Sequence, residues 1–150
     1  MIFMLKDVLI EIYERDLNKL NAEINLYQNE EKLWIVRDEI TNSAGNLALH
    51  LIGNLNHFFG AVLGKNGFVR DRDREFSSKN VSREDLCRRI DAAKEVVKNT
   101  LNNLSDEDFA KDYPLEFQEK IVKTDFFLVH LATHLAYHLG QINYHRRLLS

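Results

Sequence analysis

A chain of 150 residues, 45% hydrophobic and 29% charged, has the size and balance of one globular domain spanning residues 1–150, with room for a core built without disulfides. Its net charge of −3 argues against nucleic acid as a partner, since a basic stripe would be needed to neutralise phosphates. Its one cysteine, Cys87, excludes a disulfide framework and a cysteine-paired zinc ribbon, so any bound metal must draw most of its ligands from imidazole.

The opening stretch MIFMLKDVLIEIYERD breaks its apolar run at Lys6 and Asp7 and carries no small-residue cleavage pattern. It reads as the start of an amphipathic helix rather than a signal peptide, and no window has the apolar length of a membrane span, so a cytoplasmic protein is expected. With one proline and six glycines in the chain, turn chemistry is too scarce for a β-rich fold, and long helices should dominate. The first is expected over about residues 3–28, with Leu5, Leu9, Ile12, Leu20, Ile24 and Tyr27 on one face. Asn29, Glu30 and Glu31 end it.

The second helix should start at Asn42-Ser43, whose side chains can accept free backbone amides, and run to Leu63, with Gly64 and Gly67 as its stop. From there to Asn80 the chain is polar and highly charged, including Arg70-Asp71-Arg72-Asp73-Arg74-Glu75. That stretch is expected to be a long crossover loop, solvated or internally paired, and functional because of its length. The third helix is announced by Ser82-x-x-Asp85, a capping-box pattern, and by bundle spacing through Leu86, Ile90, Ala93, Val97, Leu101 and Leu104. A short helical turn is expected at Ser105 to Asp108, an irregular or briefly extended stretch over 113–122, and a last helix from about Thr124 to Leu149 interrupted only by Gly140. The sum is an all-α four-helix bundle with a long crossover connection.

All six histidines fall on two of these helices. At about 100° per residue, His130, His134, His138, Gln141 and His145 share an arc of roughly 80° on the last helix, and Asn46, His50, Asn54 and His57 a similar arc on the second. Two polar seams in a bundle core cost stability unless they satisfy each other, and facing one another around a cation would do so. His134 and His138, four residues apart, can reach one ion from successive turns, with His50 as a third corner from the other helix. Three neutral imidazoles leave a coordination position open, the arrangement of a catalytic site. Asn46, Asn54 and Gln141 are candidates to orient imidazoles or a bound water. His57, His130 and His145 are candidates to face substrate or support the ligands, and His57 could take the place of His50 as a ligand, since helix register decides between them. Arg72 and Arg74 could hold carboxylates of a substrate. A bundle whose seams bond to each other or to water with no metal is the alternative the residues leave open. Cys87, beside Leu86, reads as a packing residue.

The run from Asn42 to Leu55, NSAGNLALHLIGNL, with the HxxxHxGQ ending at His134 to Gln141, resembles the DinB-like superfamily of metal-binding four-helix bundles. Arg72 to Phe76 and the Leu33-Trp34 pair resemble an uncharacterised branch of it. The resemblance spans nearly the whole chain. It implies a divalent cation, zinc or nickel, held by His50, His134 and His138, and a homodimer acting on a small-molecule substrate. The activities it implies are those of thiol-dependent S-transferases, in which the metal activates a low-molecular-weight thiol such as bacillithiol or mycothiol, or of a related isomerase or hydrolase. A stress-related metal-binding or scaffold protein with a structural or vestigial site is the non-catalytic counterpart.

Overall fold

The computed structural model describes residues 4–149. Within them the fold is all-α, and the β-type pairing consists of isolated bridges. Helix α1 spans Leu5–Leu26 and buries Leu9, Tyr13, Leu17, Leu20 and Ile24 on one face. The expected start at residue 3 lies outside the described residues, and the helix closes two residues earlier than its pattern suggests. A 3-10 turn, Glu30–Trp34, follows, capped by the Asn29 side chain accepting from the Glu31 amide.

Helix α2, Ala44–Leu55, begins where its cap predicts: Ser43 Oγ accepts from the Asn46 amide at 3.1 Å. Every residue of α2 is buried, which explains a hydrophobic run too continuous for a surface helix. From Asn56 to Leu63 the coil widens into a π-helix. At the junction the Ile52 carbonyl receives both the Asn56 side-chain amide, at 3.0 Å, and the Asn56 backbone N–H. Such a shared acceptor loosens the regular ladder.

The charged stretch after Gly67 is not the bare loop its composition suggests. It folds a short helix, α3, Arg72–Ser77, capped by Asp71 accepting from the Arg74 amide at 3.2 Å. Helix α4, Arg83–Asn103, starts at Ser82 as expected, although Asp85 turns away from a reciprocal cap to pair with Arg88 and Arg89. Ser105 and Asp108 complete a full capping box at the start of α5, Asp106–Ala110. A narrow excursion joined by bridges Asp112 to Lys123 and Phe117 to Lys120 leads into α6, Thr124–Leu149.

Helix α1 packs along α4 and α6, and α2 packs along the same two helices. The four therefore form a bundle with α1 and α2 at opposite corners. The connection from α2 to α4 joins neighbours, so the chain crosses the bundle in the segments before α2 and after α4. Tyr13 Oη ties α1 to α6 by donating to the Leu128 carbonyl at 2.6 Å, and Glu23 does so by accepting from Asn143 and Arg146, each at 2.7 Å. No helix among the described residues is long and apolar enough to cross a membrane.

Candidate metal centre

Helices α2 and α6 face each other in the core, and the polar seam of each lies on that shared side. His50 is 6% exposed. Its Nε2 lies 3.1 Å from His134 Nε2, which lies 3.2 Å from His138 Nε2. The three imidazoles form a group of potential ligands whose nitrogens all lie within 4.8 Å of one another. Their planes are nearly perpendicular, at 78° for His50 against His134, 87° for His50 against His138 and 88° for His134 against His138. The rings therefore meet at their edges, where in-plane nitrogen lone pairs point.

The far side of each ring decides what those nitrogens carry. His50 Nδ1 lies 3.0 Å from Glu75 Oε1. Glu75 is an ionised acceptor: burial alone would raise its pKa, but hydrogen bonds from His50 and Arg70 outweigh that and lower it. His50 must then donate from Nδ1, leaving a lone pair at Nε2. His138 Nδ1 lies 2.7 Å from Gln141 Oε1, which fixes the same tautomer. Two lone pairs thus aim at His134 Nε2, and His134 Nδ1 is buried with no hydrogen-bond partner. Desolvation, reinforced by the other histidines and Arg70, pulls the pKa of His134 down to about 4, and desolvation lowers that of His138 as well. Near neutral pH His134 and His138 are therefore neutral ligands in waiting.

A divalent ion fits this donor set. Nitrogens bound at about 2.0–2.1 Å to a tetrahedral zinc stand roughly 3.3 Å apart, close to the 3.1 and 3.2 Å that separate His134 Nε2 from the other two. A cation would also take up all three converging nitrogens, where without it the His134 Nε2 proton is the one donor between two acceptors.

Glu75 is held from several sides. Arg70 grips its carboxylate with Nε at 2.8 Å and Nη2 at 2.9 Å. Gly53 gives it room: a Cβ there would meet Glu75 Oε2 at 2.0 Å. Asn46 holds the backbone of α3, donating to the carbonyls of Glu75 at 3.0 Å and Ser78 at 2.8 Å. Asn46 therefore acts through Glu75 and not on an imidazole directly, whereas Gln141 bonds His138 itself. Neither Glu75 nor Arg70 stands out in the sequence, because the run containing them looks like a solvated charge cluster. The available signal was Gly53 in the interior of a helix, a costly residue there unless another group must approach the backbone closely.

The remaining candidates separate by place. Asn54, Arg72 and His130 line a cleft beside His50 and His134. His57 sits on the π-helix with its ring edge-on to Phe58 and outside the trio. Arg74 is exposed, 3.6 Å from Asp71 and on the far side of Glu75 from the histidines. His145 is buried between the Tyr27 hydroxyl, at 2.6 Å, and the Ile35 carbonyl, at 2.8 Å, where it ties α6 to the segment before α2. Cys87 is half-buried against the core, accepts from Asn25 at 3.4 Å, and has its thiol pKa raised by burial.

Fold and site together define an all-helical bundle with a three-histidine centre capable of binding a metal. The chain belongs to the family described as "Protein of unknown function (DUF1572)", whose model matches residues 7–150. No curated protein matches it.

Proposed function

We propose that this chain is a divalent-metal-dependent enzyme of the DinB-like type, with His50, His134 and His138 as ligands of zinc or nickel, working as a homodimer that transfers or hydrolyses through a low-molecular-weight thiol or water. The observation carrying this reading is the convergence of three Nε2 atoms, two of them on rings that Glu75 and Gln141 hold in orientation. When bound, the cation would lower the pKa of a thiol or water enough for a nucleophile to exist near neutral pH. The chain's own residues supply the rest. Glu75 and Gln141 hold two imidazoles in orientation, and the cleft at His50 and His134 gives a small molecule access from one side. A closed structural site would not need that access.

Metal analysis of the untagged protein beside His50→Ala, His57→Ala and His134→Ala variants tests the ligand set. Bound metal is expected in the parent and in the position-57 variant and lost in the other two. Chelation should abolish, and zinc restore, binding of a thiol such as bacillithiol. A metal that raises the melting temperature while no thiol binds and no transfer or hydrolysis follows would make the site structural and overturn the enzymatic reading.

A further inference from the structure

The cleft of about 290 Å³ beside the trio has walls of a consistent kind. Phe58 and Phe127 meet edge-on at 5.1 Å and 82°, Phe117 leans on Phe127 at 5.5 Å, and the His130 ring lies against Phe117 at 4.5 Å. Among the described residues no carboxylate lines it, whereas Arg70 and Arg72 both do. Their situations differ. Arg70 is committed to Glu75 and lies over the Phe58 ring at 5.8 Å. Arg72 has no carboxylate partner among the described residues and only the Phe76 ring beneath it, at 5.9 Å. One polar group is also left over: Asn54 is 6% exposed, borders the cleft, and keeps its Oδ1 buried without a hydrogen-bond partner. An enclosure with aromatic walls, a free cation, an unused amide and no acid selects against cations and in favour of a flat anion.

We infer that this cleft recognises a small aryl carboxylate, with Arg72 meeting the carboxylate, Phe58, Phe117 and Phe127 enclosing the ring, and Asn54 bonding a polar substituent at the end nearest the histidines. The assignment rests on reading the trio as the reacting end of the same cleft, yet it concerns recognition and can be measured without metal. Aromatic edges and faces favour an aryl body over a saturated one, and the guanidinium favours a carboxylate over a neutral head.

The test is calorimetric titration of metal-free and zinc-loaded protein with cinnamate, against acetate, cyclohexanecarboxylate and cinnamyl alcohol. Cinnamate is expected to bind tighter than all three. Arg72→Gln should weaken cinnamate by about tenfold or more, the loss of one charge-assisted contact, and leave the melting temperature unchanged because the side chain is exposed. Phe117→Leu should weaken cinnamate more than cyclohexanecarboxylate. Cinnamate binding no better than acetate, or binding equally well to Arg72→Gln, would overturn the inference. Zinc titration of the same samples separates the two readings. Zinc uptake without cinnamate binding sinks only this one, and Arg72-dependent cinnamate binding without zinc uptake sinks only the metal assignment.

Discussion

His50 and Glu75 stand 25 residues apart in the chain and 3.0 Å apart in the fold, both buried, with the carboxylate fixing which imidazole nitrogen carries the proton. Glu75→Gln keeps the shape and removes the charge. An amide can present either its oxygen or its nitrogen to His50, so the tautomer is no longer imposed. Zinc affinity should fall about 10- to 100-fold, measured by competition with a chromogenic chelator, as is usual when the partner of a ligating histidine is changed. Gly53→Ala should do the same by displacing the carboxylate, and it should also lower the melting temperature. Unchanged affinity in both variants would mean that Glu75 has no part in the site.

His134 lacks such a partner, and this predicts opposite effects for two of the three histidines. His134→Leu removes a buried, unpaired Nδ1, a group that costs on the order of 1–3 kcal/mol, against which stands one proton shared by Nε2 with two neighbouring rings. The metal-free variant should melt at or above the parent temperature, while added zinc no longer raises it. His50→Ala leaves a cavity beside Glu75, so the metal-free protein should lose about 2–3 kcal/mol. Denaturant curves with and without zinc check both. A large loss of metal-free stability in His134→Leu would show the trio to be a structural hydrogen-bonded cluster.

The helices were legible because burial repeats along the chain: Leu86, Ile90, Ala93, Val97 and Leu101 are all buried as their spacing implies. The trio was legible in part for the same reason, since helical register brings His134 and His138 together, whereas it leaves His57 on the same arc as His50 and only the packing of α2 against α6 selects His50. What could not be read was anything set by packing between distant segments. The acids and bases from Arg70 to Glu75 look alike in sequence, yet Glu75 is buried on Gly53 while Arg74 stays in water. His145 shares a helical arc with His138, but about two turns further along it meets Tyr27 and Ile35 instead.

His145, set between Tyr27 and Ile35, adds to the acid sensitivity that the lowered pKa values of His134 and His138 already confer. The Ile35 carbonyl can only accept, so His145 donates from Nε2 and accepts the Tyr27 hydroxyl at Nδ1, a neutral ring by construction. Burial lowers its pKa, with the Ile35 hydrogen bond opposing in part. In the unfolded chain histidine titrates near 6.5. As pH drops through that value the unfolded chain gains a proton that the fold refuses, so the stabilising contribution is complete above it and shrinks below it. Each such proton costs about 1.4 kcal/mol per pH unit. Urea unfolding of metal-free protein between pH 7.5 and 5.5 should show stability falling with pH, and His145→Gln, though less stable throughout, should show a shallower slope. Parallel curves would rule out His145 as a source of the acid sensitivity.

Phe117 reaches the cleft from a two-residue turn closed by backbone hydrogen bonds to Lys120 of 2.8 and 3.0 Å. The two residues at its tip, Gln118 and Glu119, hold φ of 50° and 62°, the left-handed region that a turn of this hand demands and that Asn-Gly fills best. A side chain there costs roughly 1–2 kcal/mol per residue. Glycine removes that strain but gains freedom in the unfolded chain worth about 0.5–1 kcal/mol, so the strain relief is the larger effect. Glu119→Gly should therefore stabilise the protein by about 0.5–1 kcal/mol, a rise of a few degrees at most in melting temperature for a domain of this size. Because the turn hydrogen bonds keep Phe117 in place, cinnamate affinity should be unchanged by the substitution. A lower melting temperature would mean that the Glu119 side chain makes contacts that outweigh its backbone strain.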